Sequence, residues 1–241
     1  MTLIVKTVLA DQIFEIVRAR IISGALAGEA PIRQDALAAE LGVSKIPLRE
    51  AFVRLEQDGL VVSKANRGFF VSPLSAAEAY DVFDLRLKLE PAAVAEGATR
   101  AGEADRDAAR RALAALDRAT EARVASVASL NRAFHMALAR PAGRRVTLMI
   151  LERLQVVAER YVVRHLEPSG RSARAIGEHQ ALYAAWAAGR AEQAARLSAM
   201  HIESTLRDLR TELEGAQFSS PAKAGKGDHA KHGGGGRGLS G

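Results

Sequence analysis

The sequence predicts a mainly α-helical protein in two parts: a small N-terminal unit of helices with one hairpin, and a larger bundle of six helices. Three observations support this. Apolar residues recur every three or four positions through most of the chain, the spacing of amphipathic helices. β-branched and aromatic residues flank a turn near residues 60–72, as in a hairpin. From residue 76 onward Ala, Leu, Arg and Glu dominate, and strand signals are few.

The composition is that of an ordinary globular protein with one large or two modest domains. The 241 residues are 48% hydrophobic and 26% charged. No run of about 18 apolar residues predicts a membrane span, and the apolar start lacks the basic segment and cleavage site of a signal peptide. The absence of cysteine excludes disulfides, thiolate metal sites and a cysteine nucleophile. We therefore expect a cytoplasmic protein.

The net charge of +6 is spread unevenly. Residues 1–75 carry nine Lys/Arg against eight Asp/Glu, residues 76–214 carry 21 against 19, and residues 215–241 carry four against one. Half of the excess positive charge therefore lies in the C-terminal tail. The pI near 10 does not by itself predict nucleic-acid binding, so any DNA contact must depend on where the cations are placed.

The first helix of the N-terminal unit is predicted over residues 8–23. Thr7 can cap its start and Gly24 follows its end. A second, short helix is expected over residues 34–40, where the apolar spacing resumes, and Gly42 ends it.

A third helix is predicted over residues 45–57. Ser44 is a favourable N-cap, and Pro47 falls in the first turn, where no backbone hydrogen bond is lost. Its buried face is formed by Leu48, Phe52 and Leu55. The stretch LVVSKANRGFFVS then reads as two short strands around a turn. This order predicts a winged helix-turn-helix over residues 8–73.

The third helix also carries the cations expected at DNA. In a helix-turn-helix the second helix of the pair enters the major groove, and its N-terminal residues meet base edges. Lys45 and Arg49 are about 40° apart on one face, beside the apolar face. An Arg fork matches the O6 and N7 atoms of guanine, and a helix N-terminus can receive a phosphate. The predicted DNA contacts are Ser44, Lys45, Ile46 and Arg49 on the helix and Lys64, Asn66, Arg67 and Gly68 in the hairpin. The alternative is a surface helix with solvated charges, but the joint pattern favours DNA.

Residues 76–214 predict six helices, each about 17 to 25 residues long, which is enough for an all-α bundle with its own core. Breaks are expected at residues 100–105, 121–123, 140–143, 167–170 and 187–190. The tail, residues 215–241, is rich in Gly and Lys and almost free of large apolar residues, so we expect it to be disordered.

Three histidines are predicted to face the inside of this bundle. His135 follows Asn131 by one turn, His179 shares a face with Trp186, and His201 lies one turn after an apolar residue. A single histidine on an apolar face is more often a hydrogen-bonded core residue than a ligand. Three on separate helices favour a metal site, and neutral imidazoles suit Zn first, with Ni, Fe or Mn as alternatives.

The stretch ELGVSKIPLREAFVRLEQDGLVVSKANRGFFV resembles the winged-helix domain of the GntR family of bacterial transcription regulators. The usual form in that family is close to LGVSRTPVREAL, followed by an NRG-type wing. Lys45 and Ile46 stand where the family usually has Arg and Thr, so we expect this chain to read a different DNA site. Relatives often place a DNA-contacting Arg before the second helix, and Arg33 is the candidate here.

Residues 76–214 resemble the FCD ligand-binding domain of the FadR branch of that family, in its shorter, six-helix VanR-like variant. The motif is N-x-x-F-H, then E-H on a later helix, then H-I about 22 residues further on. In metal-binding relatives the four ligands match Asn131, His135, His179 and His201. Asn131 stands at a position that also takes a carboxylate.

Arg86, in YDVFDLRLKLEP, matches an Arg that is common in this domain. The resemblance implies a guanidinium beside the metal that clamps the carboxylate of an effector. The alternative is a surface ion pair with Glu90, one turn further along the helix.

The resemblance implies a ligand-responsive regulator and, most simply, a repressor. A homodimer would bind a near-palindromic operator in double-stranded DNA, and a small organic acid would release it. One rival is a metal-dependent helical-bundle enzyme. Its only free carboxylate within the His motifs, Glu178, is adjacent to His179 and should point about 100° away, so we expect no catalysis. A purely metal-responsive regulator is a third interpretation.

Overall fold

The computed structural model describes residues 2–122, 124, 126–163 and 172–219. These residues form nine α-helices, one short 3₁₀-helix and one two-stranded antiparallel sheet, which confirms the mainly α fold class. The elements in chain order are α1 (Thr2–Ile22), α2 (Gln34–Leu41), α3 (Lys45–Gln57), β1 (Val61–Lys64), β2 (Gly68–Val71), α4 (Ala76–Arg100), α5 (Glu103–Ala122), α6 (Val127–Ala139), the 3₁₀-helix (Arg140–Ala142), α7 (Arg145–Tyr161), α8 (Ser172–Ala187) and α9 (Ala191–Ser219).

The N-terminal unit is a winged helix-turn-helix built on α3. The predicted face of α3 is fully buried and packs against α1, α2 and β1. In the hairpin, Val61 pairs with Val71 and Lys64 pairs with Gly68. The loop before α2 adds a partial third strand, because the amide of Ile32 donates to the carbonyl oxygen of Phe69 at 2.8 Å. The apolar contacts that fix α3 leave its N-terminal end at the surface.

Three predicted helix ends were wrong. α1 begins at Thr2, so Thr7 lies within the helix and does not start it. α6 ends before Pro141, at the predicted break, but it begins only at Val127 and so has 13 residues, fewer than expected. α9 has 29 residues and runs to Ser219, past the predicted end of the bundle. A single glycine, Gly215, costs only about 1 kcal/mol within a helix and does not end it.

The second unit is arranged around α4. This helix packs against α6, α7, α8 and α9, and Ser75 caps its start by accepting a hydrogen bond from the Glu78 amide at 3.1 Å. The predicted break at residues 167–170, residue 123 of another break, and residues 220–241 of the predicted disordered tail lie outside the described residues. Among the helices described, none combines the length and the hydropathy that a bilayer crossing requires.

Gly97 lets α4 approach α6 closely. A Cβ at this position would overlap the carbonyl oxygen of Leu138. That same oxygen accepts a hydrogen bond of 3.0 Å from the buried indole Nε1 of Trp186. The glycine, the carbonyl and the tryptophan therefore form one close contact among α4, α6 and α8.

Gly97→Ala should lower the free energy of unfolding by about 1–3 kcal/mol, the usual cost of forcing extra volume into a packed core. Urea denaturation followed by circular dichroism measures this. The control is Gly177→Ala on α8, where a Cβ would meet nothing within 4 Å. That variant should be neutral or about 0.5–1 kcal/mol more stable, because Ala favours a helix over Gly. Equal stability of the two variants would contradict the close contact at Gly97.

Candidate functional site

The first candidate site is a groove on the winged-helix unit. It measures about 530 Å³, and five of the nine residues predicted to contact DNA line it: Arg33, Lys45, Arg49, Arg67 and Gly68. The guanidinium and ammonium groups come from the loop before α2, from α3 and from the hairpin. The fold thus gathers cations that are far apart in the sequence on one face, which suits a polyanion such as DNA.

Ion pairing within this groove was not visible in the sequence. The Lys45 Nζ lies 2.6 Å from the Asp35 Oδ1, and both side chains are mostly exposed. Arg49, one turn further on, is also exposed. A phosphate or a base edge can therefore replace Asp35 as the partner of Lys45 at little cost, because exposed ion pairs contribute only about 0–1 kcal/mol.

Ser44 and Ile46 lie beside this groove. Ser44 occupies the N-cap position of α3 with an extended backbone, φ −77° and ψ 163°. Its hydroxyl makes no capping hydrogen bond, which corrects the prediction of a side-chain cap. The Ile46 side chain is 59% exposed at the start of α3, so it is available for an apolar contact such as a thymine methyl group.

The hairpin tip holds the other predicted contacts in a tight turn. The Arg67 amide donates to the carbonyl oxygen of Lys64 at 2.9 Å. Asn66 and Gly68 adopt positive φ angles of 58° and 81°, and glycine takes this conformation without strain. The Lys64 ammonium lies 4.3 Å from the centre of the Phe70 ring, which holds it on the hairpin.

The second candidate site is a histidine cluster in the helical unit. His135 on α6, His179 on α8 and His201 on α9 are all buried, and one ring nitrogen from each lies within 4.8 Å of the others. The Nε2 atoms of His179 and His201 are 3.3 Å apart. The three histidines predicted from helical spacing therefore do converge.

Two carboxylates hold the outer nitrogens of this cluster. The Glu90 Oε1 lies 2.8 Å from the Nδ1 of His135, and the Glu178 Oε2 lies 2.7 Å from the Nδ1 of His201. A carboxylate at one ring nitrogen fixes the tautomer and leaves the other nitrogen to bind a metal. The Nε2 of His135 is buried without a hydrogen-bond partner, and its Nδ1 meets Glu90 as a close charge contact without good hydrogen-bond geometry.

The electrostatics keep His135 and His179 neutral. Burial lowers the pKa of His179 well below its ordinary value, and the neighbouring His201 and His135 lower it further. Burial also lowers the pKa of His135, although Glu90 opposes the shift. Burial alone would raise the pKa of Glu90, but Arg86 and His135 outweigh it and hold that pKa below its ordinary value. Neutral imidazoles backed by ionised carboxylates fit a divalent transition metal.

A cavity of about 120 Å³ adjoins the cluster. Arg86, Asn131, His179 and His201 line it, together with apolar residues of α5 and α6. Asn131 thus lies at the same cavity as two of its predicted fellow ligands. A cavity with apolar walls and a few convergent polar groups is the usual form of a small-molecule site.

The environment of Arg86 combines features of both sequence interpretations. Arg86 does pair with Glu90, at 3.0 Å between the Arg Nε and the carboxylate, but the two residues are only 3% and 1% exposed. The predicted surface ion pair is therefore wrong, because the pair is buried. Arg86 also reaches the cavity, so the pairing and the predicted contact with an effector do not exclude each other.

Sequence reasoning missed the carboxylates of this site. Glu178 was expected to point away, yet it reaches the Nδ1 of His201 across the α8–α9 contact and lines the cavity. Burial raises the pKa of Glu178, but the hydrogen bond with His201 and the charge of Arg174 lower it overall. Glu90 had a usable signal: it falls on the buried stripe of α4. No sequence signal marked Arg174, which pairs with Glu178 and Asp208.

The fold and these two sites point to a class: a DNA-binding regulator with a second, helical domain. Comparison with known families agrees. Residues 9–71 match the bacterial regulatory proteins of the gntR family, and residues 81–204 match the FCD domain. The chain belongs to the GntR family of bacterial transcriptional regulators, in the branch that carries an FCD domain. This favours the regulator over the helical-bundle enzyme.

Individual proteins resemble this chain in sequence or in fold. The HTH-type regulator BphR of Paraburkholderia xenovorans is 31% identical over 211 residues, 84% of this chain and 85% of BphR. The repressor GlaR of Escherichia coli is 29% identical over 191 residues, 76% of this chain and 87% of GlaR. The Nta operon regulator of Aminobacter aminovorans is 36% identical over 107 residues, which span 44% of this chain but only 51% of that protein. In fold, E. coli McbR/YncC matches with a TM-score of 0.73 at 23% identity, covering 84% of this chain and 97% of its own.

Proposed function

We propose that this GntR-family regulator is a cytoplasmic repressor whose helical domain binds a small organic acid at a metal site. Asn131, His135, His179 and His201 would hold a divalent transition metal, with Zn first and Ni, Fe or Mn as alternatives. A bound ion would supply positive charge that attracts a carboxylate. Arg86, which also lines the cavity, would contact the same carboxylate.

One observation carries this proposal. Three buried imidazoles meet beside a cavity, and carboxylates lie at the Nδ1 atoms of two of them. A buried core histidine usually has partners for both ring nitrogens, whereas here the Nε2 atoms of His179 and His201 face each other and the Nε2 of His135 has no hydrogen-bond partner. The name of the relative GlaR as a repressor supports the sign of regulation.

Zinc analysis combined with DNA binding tests the proposal. A DNA site is first selected from a random pool by the purified protein, and its affinity is then measured with metal removed, with Zn²⁺, and with Zn²⁺ plus a panel of small carboxylates. DNA binding that weakens with a carboxylate only when Zn²⁺ is present supports the proposal. A response to Zn²⁺ alone supports the purely metal-responsive regulator, and absence of zinc binding overturns the site.

Asn131→Asp should raise the affinity for Zn²⁺. A carboxylate adds a full negative charge. Two unit charges 4 Å apart attract each other by about 4 kcal/mol at an effective dielectric constant near 20, so the Zn²⁺ affinity should rise at least about tenfold. Isothermal titration measures the affinity. Asn131→Leu is the control of similar volume and should show no gain. If the Asp variant binds Zn²⁺ no better than the Leu variant, Asn131 is not a ligand.

An exposed apolar patch on α7 supports the homodimer within this proposal. Val146, Met149 and Ile150 share one face of the helix and are 56%, 63% and 41% exposed. Contiguous apolar patches mark interfaces. We assign the patch to a second copy of the chain, because a winged-helix pair on a near-palindromic operator requires a two-fold contact.

Met149→Lys should convert the dimer into a monomer. The loss of an apolar contact at the centre of an interface costs about 2 kcal/mol per copy, so the two copies weaken the dimer on the order of several hundredfold. Sedimentation velocity over a concentration series measures the change. Met200→Lys on α9 is the matched control, because Met200 is 61% exposed but lies outside the patch. A dimer that survives Met149→Lys places the interface elsewhere.

A further inference from the structure

Helix α7 contacts both the histidine site and the winged-helix unit within two turns. On one side, the Gln155 Nε2 donates to the Glu90 Oε2 at 2.9 Å, and Gln155 is only 2% exposed. The same carboxylate binds Arg86 and approaches His135. Gln155 is therefore one hydrogen bond away from the groups proposed to contact effector and metal.

The following residues of α7 pack against the winged-helix unit. Val156 is part of the apolar cluster formed by α1, α3 and the hairpin. Glu159 forms a buried ion pair with Arg18 of α1. The Arg160 Nη2 donates to the carbonyl oxygen of Ser72, just after β2, at 2.5 Å.

Burial makes these contacts interdependent. Gln155, Glu159 and Arg160 are at most 3% exposed, so water cannot replace a partner that moves away. Glu159 pairs with Arg132 of α6 as well as with Arg18, so this buried ion-pair network holds α1, α6 and α7 together, and a close-packed helix moves as a unit. A shift of Glu90 must therefore either break its bond with Gln155 or move α7, and α7 carries α1 with it.

We infer that Gln155 transmits the state of the histidine site to the winged-helix unit through α7. The inference rests on the proposed function, because it assumes that Arg86 and His135 respond to what binds at the site. Glu90 is the shared partner of those two residues, and Gln155 is its contact with α7. The competing route is the direct chain connection from β2 to α4, which does not involve Gln155.

The test uses the full chain and Zn²⁺ alone as the probe. We compare the wild type with Gln155→Leu, Gln155→Met and a control, Gln193→Leu. The control makes the same Gln-to-Leu substitution on α9, away from α7. Zinc affinity is measured by isothermal titration, folding by thermal denaturation, and coupling by amide hydrogen exchange of residues 10–22 in α1 with and without saturating Zn²⁺.

In wild type and Gln193→Leu, Zn²⁺ should slow exchange in α1 by at least about fivefold, the low end of typical allosteric coupling. The Gln155 variants should bind Zn²⁺ with less than the roughly tenfold loss that follows when a metal ligand loses its orienting partner. Their α1 exchange should no longer respond. Arg18→Gln interrupts the same route at its other end and should also abolish the response.

Three other outcomes would overturn the inference, and they can be told apart. If both Gln155 variants keep the full α1 response, or if zinc binds wild type without changing α1, the inference is overturned while the metal site stands. If both variants lose zinc binding, Gln155 supports the site and does not transmit from it, which also overturns the inference. If wild type binds no zinc, the metal site of the proposed function fails, and the inference fails with it.

Discussion

Arg49→Ala is expected to abolish specific operator binding while leaving both units folded. Arg49 lies on the exposed face of α3, in the groove that also gathers Arg33, Lys45 and Arg67. A bidentate Arg contact with a guanine is worth about 1–3 kcal/mol, and a dimer makes it twice. The operator affinity should therefore decrease by a factor between about 30 and more than 10,000. Fluorescence anisotropy with a DNA site selected by the wild-type protein measures the loss.

The control for this variant is Arg111→Ala, which removes the same charge from an exposed position on α5. It should leave operator affinity unchanged, because α5 lies in the helical unit. Thermal denaturation should show that neither change unfolds the protein, since alanine favours a helix at both positions. Unchanged operator affinity in Arg49→Ala would remove α3 from the recognition surface.

His179→Ala is expected to eliminate zinc binding. Loss of a group that merely orients a ligand costs about 10- to 100-fold in metal affinity, and loss of a ligand itself should cost more than about 100-fold. Glu178→Gln, which keeps all three imidazoles but weakens the hold on His201, should fall within that smaller range. Isothermal titration of the metal-free protein measures both variants, and Gln180→Ala, one position along α8 and exposed, is the control.

Thermal denaturation separates a ligand from a core residue at His179. Zn²⁺ at 100 times its dissociation constant should stabilise wild type by about 2.7 kcal/mol, and His179→Ala should show no such gain. A core histidine predicts the opposite pattern: lower stability of the metal-free variant with an intact gain from zinc. That pattern would refute the metal site.

Local signals were enough to predict the winged-helix unit. α3 begins at Lys45 and ends at Gln57 as expected, because Ser44, Pro47 and Gly59 each favour a specific backbone conformation near its ends. The helical period also placed His135, His179 and His201 inside the bundle. Period and turn chemistry act within a few residues, so a sequence displays them directly. The start of α1 and the end of α9 were predicted less well, since single Thr or Gly residues are weak signals.

Partners distant in the chain could not be predicted. Helical spacing predicted that Glu178 points away from His179. Only the packing of α8 on α9 shows that Glu178 contacts His201. The alternative interpretation of Arg86, a surface pair with Glu90, was wrong about burial, because charged residues are usually exposed. Their burial depends on α4 lying at the centre of the bundle.

By itself, the sequence determined the class of fold, the helix with Lys45 and Arg49 that we propose for DNA recognition, and the inward placement of the three histidines, because each depends on local spacing. The tertiary structure decided which side chains of other helices contact the histidines and the winged-helix unit. It placed Glu90 and Glu178 at the imidazoles, and Glu159 of α7 against Arg18 of the winged-helix unit. The physical reason is that a buried charge persists only beside a partner of opposite sign, and that partner is supplied by another helix in space.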